Sequence, residues 1–466
     1  MGSSSALNIL SGIIRLKVAA LLLGPAGVGL IGLLQNLMST ASVAAGLGLD
    51  TAGTRQIAEK TPDMAAVGDM RRVLVFGSVL MAVLGGGIFW MLSDQFAHLF
   101  LAREMSVVNV RWLALGVAMT IVSMGQIAIL NGLRRIKSLA VLKVSASIMA
   151  SVLGIIALLV MGREGTILFV LSLPFSTMII GMFLVSRLGW NNDPVPSLKH
   201  LLISWARFSC LGAKFMSGAL VAIAGLLVVR SIVNRALGPD ALGQFEAAWM
   251  ISMTYIGFVL GAMATDYFPT LTSIITNKTE ANTLVNEQTA VALYLVGPVL
   301  VLIMAFAPSA ILLLYSTAFE QSAHILRLQV FGDLLKVISW PISFVILAAG
   351  YGKTYMLTEM FGVSVFAVFT WMMIPLYGIQ GAGIGFIAMY AVYLPLVFMF
   401  GRCIIGYTPT RENKVRCCLL LSCLTAIYAI SYFSESWCMI VGAVMTAYLA
   451  VDARRFLKQQ TQEALD

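Results

Sequence analysis

Charge is what this sequence has least of. Only 11% of its 466 residues are Asp, Glu, Lys or Arg, against 59% hydrophobic ones. A soluble domain carries roughly 25% charged residues, so a water-bathed globule is excluded. Long polar segments are missing as well. The longest plausible loops, Glu59 to Met70, Gly189 to His200 and Ile405 to Val415, are about a dozen residues each, too short to fold alone. Histidine is scarce: His98, His200 and His324 are scattered, which leaves no metal-binding cluster. None of the six cysteines shows zinc or redox spacing. Cys417, Cys418 and Cys423 share one apolar segment and read as apolar fillers. Gly352-Lys353-Thr354 resembles the end of a phosphate-binding loop, but Leu347 stands where that loop needs glycine, which argues against ATP hydrolysis. No metal and no cofactor is expected. The Met1-Gly2-Ser3-Ser4-Ser5 start lacks a basic n-region, so the first apolar helix is expected to serve as its own targeting signal.

What is abundant is long apolar runs. A membrane-spanning helix needs about 20 mostly apolar residues. Fourteen segments qualify, at roughly 6–23, 27–52, 70–92, 106–131, 138–161, 166–188, 201–235, 242–274, 288–315, 323–349, 354–376, 379–402, 416–433 and 437–453. The expected fold is an all-α integral membrane protein with two pseudo-symmetric six-helix bundles and two further C-terminal helices. The boundaries read as 1–190 for the first bundle, 191–200 for a linker, 201–404 for the second bundle and 405–466 for the last two helices and tail.

The net charge of +9 is placed asymmetrically. Alternate turns collect Arg55, Lys60, Arg71, Arg72, Arg134, Arg135, Lys137, Arg187, Lys199, Lys278, Lys353, Arg402, Arg411, Lys414 and Arg416, and the tail adds Arg454, Arg455 and Lys458. The opposite turns hold little beyond Arg103, Arg163 and Arg235. This is topology, not a nucleic-acid surface, and it puts both termini in the cytoplasm.

The chain also repeats itself. Leu23-Gly24-Pro25-Ala26-Gly27-Val28-Gly29 returns as Leu237-Gly238-Pro239-Asp240-Ala241-Leu242-Gly243, and Thr40 and Thr254 keep the same offset. Each copy lies between two apolar runs and reads as the tight turn of a helical hairpin. Six helices separate the copies, so both should point the same way, with the halves related by an axis along the membrane normal. The polar stretch Gly189 to Pro196 joins them.

Charges within apolar helices are the informative ones, because each needs a cavity, a partner or a route to the interface. Arg15 is about 13 Å deep at 1.5 Å per residue. Lys17 is about 200° around the helix from it, so the two face differently. Lys214 and Arg230 lie in the seventh helix, the first of the second half. These cations can line one central cavity; snorkelling or pairing with an acid is the competing role. Asp333 and Lys336 are at i, i+3 in the tenth helix, where they can neutralise each other or bridge helices. Glu359 and Asp266 have no partner nearby in sequence, and Asp266 precedes Pro269, where a broken helix can expose backbone groups.

At these residues the chain resembles a known family. Leu23 to Leu30 is similar to the first hairpin turn of Wzx-type polysaccharide flippases, within the multidrug/oligosaccharidyl-lipid/polysaccharide exporter superfamily. Phe331-Gly332-Asp333-Leu334-Leu335-Lys336-Val337 resembles their tenth-helix signature, and Phe268-Pro269-Thr270-Leu271 the end of their eighth helix. The similarity runs from about Leu21 to about Arg402. It points to Lys17, Arg55, Arg230, Asp333, Lys336 and Glu359, with Arg55 standing where lysine is common. Helices 13 and 14 depart from the many such flippases that end after the twelfth. The resemblance implies no enzyme. It implies a flippase that carries an undecaprenyl-pyrophosphate-linked oligosaccharide, an O-antigen or related repeat unit, across a bacterial inner membrane by alternating access.

On that reading Arg15, Lys17, Arg55, Lys214 and Arg230 bind substrate. Asp266, Asp333, Lys336 and Glu359 couple or gate. Membrane lipids, and the polymerase and chain-length regulator of the same pathway, are the expected partners. An ion-coupled drug antiporter would share the fold but favour an acidic cavity. A polymerase would need a sizeable outer loop, and the sequence has none.

Overall fold

The computed structural model describes residues 2–61, 64–101, 110–188 and 197–463. The stretch Gly189 to Pro196 that reads as the linker lies outside the described residues, as does Arg103. Every regular element among them is helical. In chain order they are α1 (Gly2–Gly46), α2 (Leu49–Lys60), α3 (Met64–Phe100), α4 (Leu113–Gly132), α5 (Ile136–Met161), α6 (Thr166–Ser186) and α7 (Leu198–Leu237). There follow α8 (Pro239–Ile274), α9 (Lys278–Leu314), α10 (Gln321–Ala348), α11 (Gly352–Tyr377), α12 (Gln380–Ile405), α13 (Arg411–Ser431) and α14 (Glu435–Glu463).

Among the described residues, eleven stretches are long and apolar enough to cross a membrane. Three of them run through a helix junction: Leu10–Gly46 through Gly24, Ile136–Ser186 through the 3₁₀ turn Gly162–Gly165, and Gly218–Ile274 through Gly238. Large side chains such as Val83, Val160, Leu376 and Val444 remain exposed along the helices. In water that would be costly; in lipid an exposed valine costs nothing, and helices associate instead by close packing and hydrogen bonds.

Both repeat copies take the same backbone. Gly24 has φ 65° and ψ −169°, and Gly238 has φ 84° and ψ 177°. A positive φ with extended ψ is a region that only glycine enters without strain. The proline after each glycine then starts the next helix, where its missing N–H is no loss. The two turns pack on each other. A Cβ on Gly29 would come within 2.6 Å of the Gly243 nitrogen, and one on Gly243 within 1.9 Å of the Pro25 carbonyl oxygen. The Ala26 N–H donates to Asp240 Oδ1 at 3.1 Å. Touching turns lie at the same end of the molecule, as an even number of intervening helices requires.

This contact is testable. Backbone cannot step aside as a side chain can, so Gly243→Ala is expected to cost about 1–3 kcal/mol by overpacking. It should lower the unfolding temperature of the purified protein by more than Ala at Gly68, where a Cβ meets nothing within 4 Å. Equal melting of the two variants would show that the turns do not depend on this approach.

The chain divides into two compact units, Met1–Gly243 and Gln244–Asp466. In the first, α7 packs on α1, α2 and α3, and α4 packs on α2, α3 and α6. The break between α1 and α2 falls at Leu47 and Gly48, where Gly212 of α7 presses in: a Cβ there would sit 2.0 Å from the Leu47 carbonyl oxygen. In the second unit, Leu260, Val296, Val301, Met304, Val330 and Leu424 belong to one apolar core, to which α8, α9, α10, α13 and α14 all contribute. The α13–α14 pair therefore buries its apolar face against α9. Phe306 leaves helical geometry inside α9 (φ −102°, ψ 17°), two residues before Pro308, as expected where a proline ring crowds the preceding turn.

Candidate functional site

The singled-out residues fall in both units. In the first, Arg15 is 8% exposed. Its Nη2 donates to the Phe169 carbonyl and, at 3.0 Å, to Ser172 Oγ, both on α6. The guanidinium carbon lies 4.2 Å from the centre of the Phe169 ring. Nε finds no acceptor among the described residues. Arg15 thus ties α1 to α6 and keeps one donor unused. Lys17, two residues on, is half-buried. Arg55 on α2 is exposed and pairs with Glu59 at 2.7 Å across one helical turn. Exposed pairs of this kind contribute about 0.3–0.5 kcal/mol. Arg230 on α7 is 6% exposed, next to Ser231 and one turn before Asn234, both buried. Lys214 is on the same helix, and its side chain lies outside the described residues. A buried arginine in a lipid-embedded helix is the costly feature here, and its planar fork suits a phosphate oxygen pair.

In the second unit α10 carries a connected polar group. Asp333 is fully buried. Its Oδ2 accepts from Ser252 Oγ at 2.7 Å and from Tyr255 Oη at 2.5 Å, both on α8. Its Oδ1 has no donor among the described residues. Asp333 and Lys336 share a face but close no direct ion pair. Lys336 Nζ lies 3.2 Å from Met253 Sδ, within longer electrostatic reach of both Asp333 and Glu359. Glu359 on α11 accepts from Tyr393 Oη of α12 at 2.5 Å. The group therefore draws on four helices, with one cation in electrostatic reach of two acids. Asp266 is exposed on α8, and no hydrogen bond or ion pair joins it to this group among the described residues. Its neighbour Tyr267 instead turns inward and donates to the Pro341 carbonyl at 2.7 Å.

The sequence reading missed the hydroxyls. Ser252 and Tyr255 stand at i, i+3 on α8, as Tyr390 and Tyr393 do on α12, and a polar stripe on an apolar helix is the signal that marks them. It also missed Arg327, 1% exposed, which makes a bidentate pair with Glu435 at 2.8 and 2.6 Å. The partners are 108 residues apart, so no local pattern carries that pair.

A sharp test of the α10 group uses Tyr255→Phe. The variant keeps the ring and removes one donor to a buried carboxylate, worth about 1.5–3 kcal/mol as a charge-assisted bond. On the flippase role that the resemblance implies, activity should fall by about tenfold or more with membrane levels unchanged. Full transport in Tyr255→Phe would exclude the hydroxyl from the working group.

Residues 2–275 match the polysaccharide biosynthesis protein family. The lipid III flippase of Escherichia coli (strain K12) is 25% identical over 418 residues, covering 86% of this chain and 97% of that protein. Among solved structures, a lipid II flippase MurJ in an inward closed conformation aligns at TM-score 0.70 and 13% identity, over 99% of each chain. An inward-facing multidrug resistance MATE family transporter of the MOP superfamily aligns at TM-score 0.72 and 19% identity, over 86% of this chain and 94% of that one. At those identities the two structures speak for the fold alone. The family match spans the Gly24-Pro25 turn and, together with the lipid III flippase relative, bears out the resemblance read from the sequence; the Asp333 motif lies beyond the matched residues. The chain belongs to the polysaccharide biosynthesis protein family.

Proposed function

We propose that the chain is a flippase, not an enzyme. It moves an undecaprenyl-pyrophosphate-linked oligosaccharide, such as an O-antigen repeat unit, from the inner to the outer leaflet of a bacterial inner membrane. The observation that carries this is the relative that matches along nearly its whole length and is named a lipid III flippase. The chemistry agrees. A pyrophosphate entering hydrocarbon needs cations, and Arg230 is buried within an apolar helix. Counting two crossings for each of the three stretches that contain a helix junction brings the eleven candidate stretches to fourteen spans, with both termini cytoplasmic. Lys17, Arg55, Lys214 and Arg230, with the spare donor of Arg15, bind the headgroup. Asp333, Lys336 and Glu359 couple or gate, because one lysine in electrostatic reach of two acids has two alternative partners. The pathway's polymerase and chain-length regulator would take up the product.

The second reading is an ion-coupled small-molecule antiporter. The buried acids Asp333 and Glu359 are the observation in its favour. Reconstitution separates the two. Vesicles holding the purified chain and a lipid-linked oligosaccharide should expose the sugar to an external lectin or glycosidase faster than empty vesicles. Equal exposure in both, with proton-driven efflux of an organic cation, would overturn the flippase reading in favour of the antiporter.

A further inference from the structure

The basic end of the second unit contains two adjoining cavities that the transport reading does not use. They share Tyr294 of α9. One, of about 780 Å³, lies between α9 and α14 and is lined by Leu295, Pro298, Ala453, Leu457, Arg454 and Lys458, among others. The other, of about 460 Å³, is lined by Arg411, Glu412, Arg416, Tyr448 and Asp452 along with Tyr294. Tyr294 is rigidly held. Its ring stacks on Phe456 with centroids 4.0 Å apart, the Arg416 guanidinium carbon lies 3.9 Å from its centre, and its hydroxyl donates to Glu412 at 3.1 Å.

Arg416 is the unexplained group. It is 6% exposed, and Nη1 is paired with Asp452. Nε and Nη2 have no acceptor among the described residues. Leaving two donors of a buried guanidinium unbonded is expensive, so the geometry calls for an oxygen-bearing ligand. Arg454 and Lys458 stand at i, i+4 on α14, on one face and exposed, at the same end of the molecule. The lining thus holds four cations against two acids, beside a wall of leucine, proline and alanine.

We propose that this pair of cavities binds the phosphate headgroup of an acidic phospholipid from the cytoplasmic leaflet. The phosphate oxygens meet Arg416 and the Arg454–Lys458 pair, and an acyl chain lies along the apolar wall. Guanidinium groups bind phosphate through paired hydrogen bonds, and basic pockets between spanning helices on the cytoplasmic side suit anionic headgroups. Free phosphate would satisfy the cations but leave the apolar wall bare. The site would hold α14 against α9 by a lipid that is not transported.

The test is lipid retention by the full chain in detergent, read by native mass spectrometry during titration with phosphatidylglycerol or phosphatidylcholine and no oligosaccharide lipid. One phosphatidylglycerol should be retained, and Arg454→Gln with Lys458→Gln should weaken it by about tenfold or more. Both positions are exposed, so melting without added lipid should be unchanged. Arg416→Lys should weaken retention too, since it keeps the charge and loses the fork. Equal retention of phosphatidylcholine, or unchanged binding by the double variant, would overturn the proposal. Displacement by inorganic phosphate would reassign the site to a free anion. Displacement by equimolar undecaprenyl pyrophosphate would reassign it to the transported lipid, and neither result would bear on whether the chain flips that lipid.

Discussion

Export of the lipid-linked oligosaccharide is expected to collapse when Lys214 and Arg230 are both replaced by alanine. Both lie on α7, the helix that leads into the second Gly-Pro turn. A pyrophosphate brought into hydrocarbon must exchange water for cations, and each charged hydrogen bond lost by truncation costs about 1.5–3 kcal/mol. Two such losses amount to a fall of a hundredfold or more, on the order of the whole activity. Arg230→Lys should restore part of it, because lysine keeps the charge but not the two-pronged geometry. The measurement is surface polysaccharide in cells that carry equal amounts of variant in the membrane. Unimpaired export by the double variant would remove these cations from the transport path. A variant missing from the membrane would instead assign Arg230 to holding the helices together.

The largest expected effect on stability belongs to Glu435. Its partner Arg327 has a side chain only 2% exposed, whereas that of Glu435 is 44% exposed. The pair is therefore asymmetric. Removing the arginine leaves a carboxylate that water can reach. Removing the glutamate leaves a buried cation with the Met304 carbonyl, 3.1 Å from Nε, as its main remaining acceptor. Breaking a buried pair from the exposed side should cost about 3–5 kcal/mol, far more than an ordinary surface acid. Glu435→Ala is expected to destabilise more than Arg327→Met, and Arg327→Met with Glu435→Leu should recover much of the loss. Chemical unfolding in detergent orders the three variants. Glu435→Ala melting with the parent protein would show that the pair does not fasten α14 to α10.

Several features follow from local pattern. Apolar segments of spanning length, their punctuation by charge and the two Gly-Pro turns are properties of short windows. Lipid imposes them strongly, because every backbone group must be satisfied inside its own segment. The deep charges are visible for the same reason: a charge in an apolar helix is conspicuous in one dimension. What each charge meets is a different matter. Arg15 and Lys17 are distinguishable in sequence only by helical phase, yet Arg15 is fastened to the Phe169 carbonyl and Ser172, more than 150 residues away. Asp333 and Lys336 look like an i, i+3 pair, but the carboxylate is held by Ser252 and Tyr255 on another helix while Lys336 Nζ lies against Met253 Sδ.

Composition and periodicity thus determine that this chain is a bundle of membrane helices, where the helices turn and which ends carry positive charge, since these depend on single helices facing lipid. Partnership is decided only by tertiary structure. Most side chains inside a bilayer are alike in being apolar, so the choice of neighbour rests on shape and on a few hydroxyls and charges whose partners lie on other helices. Gly243 admits Pro25, Gly212 admits Leu47, and Glu435 reaches Arg327. Contacts of that kind depend on the approach of backbones far apart in the chain, and no window of sequence contains both sides of them.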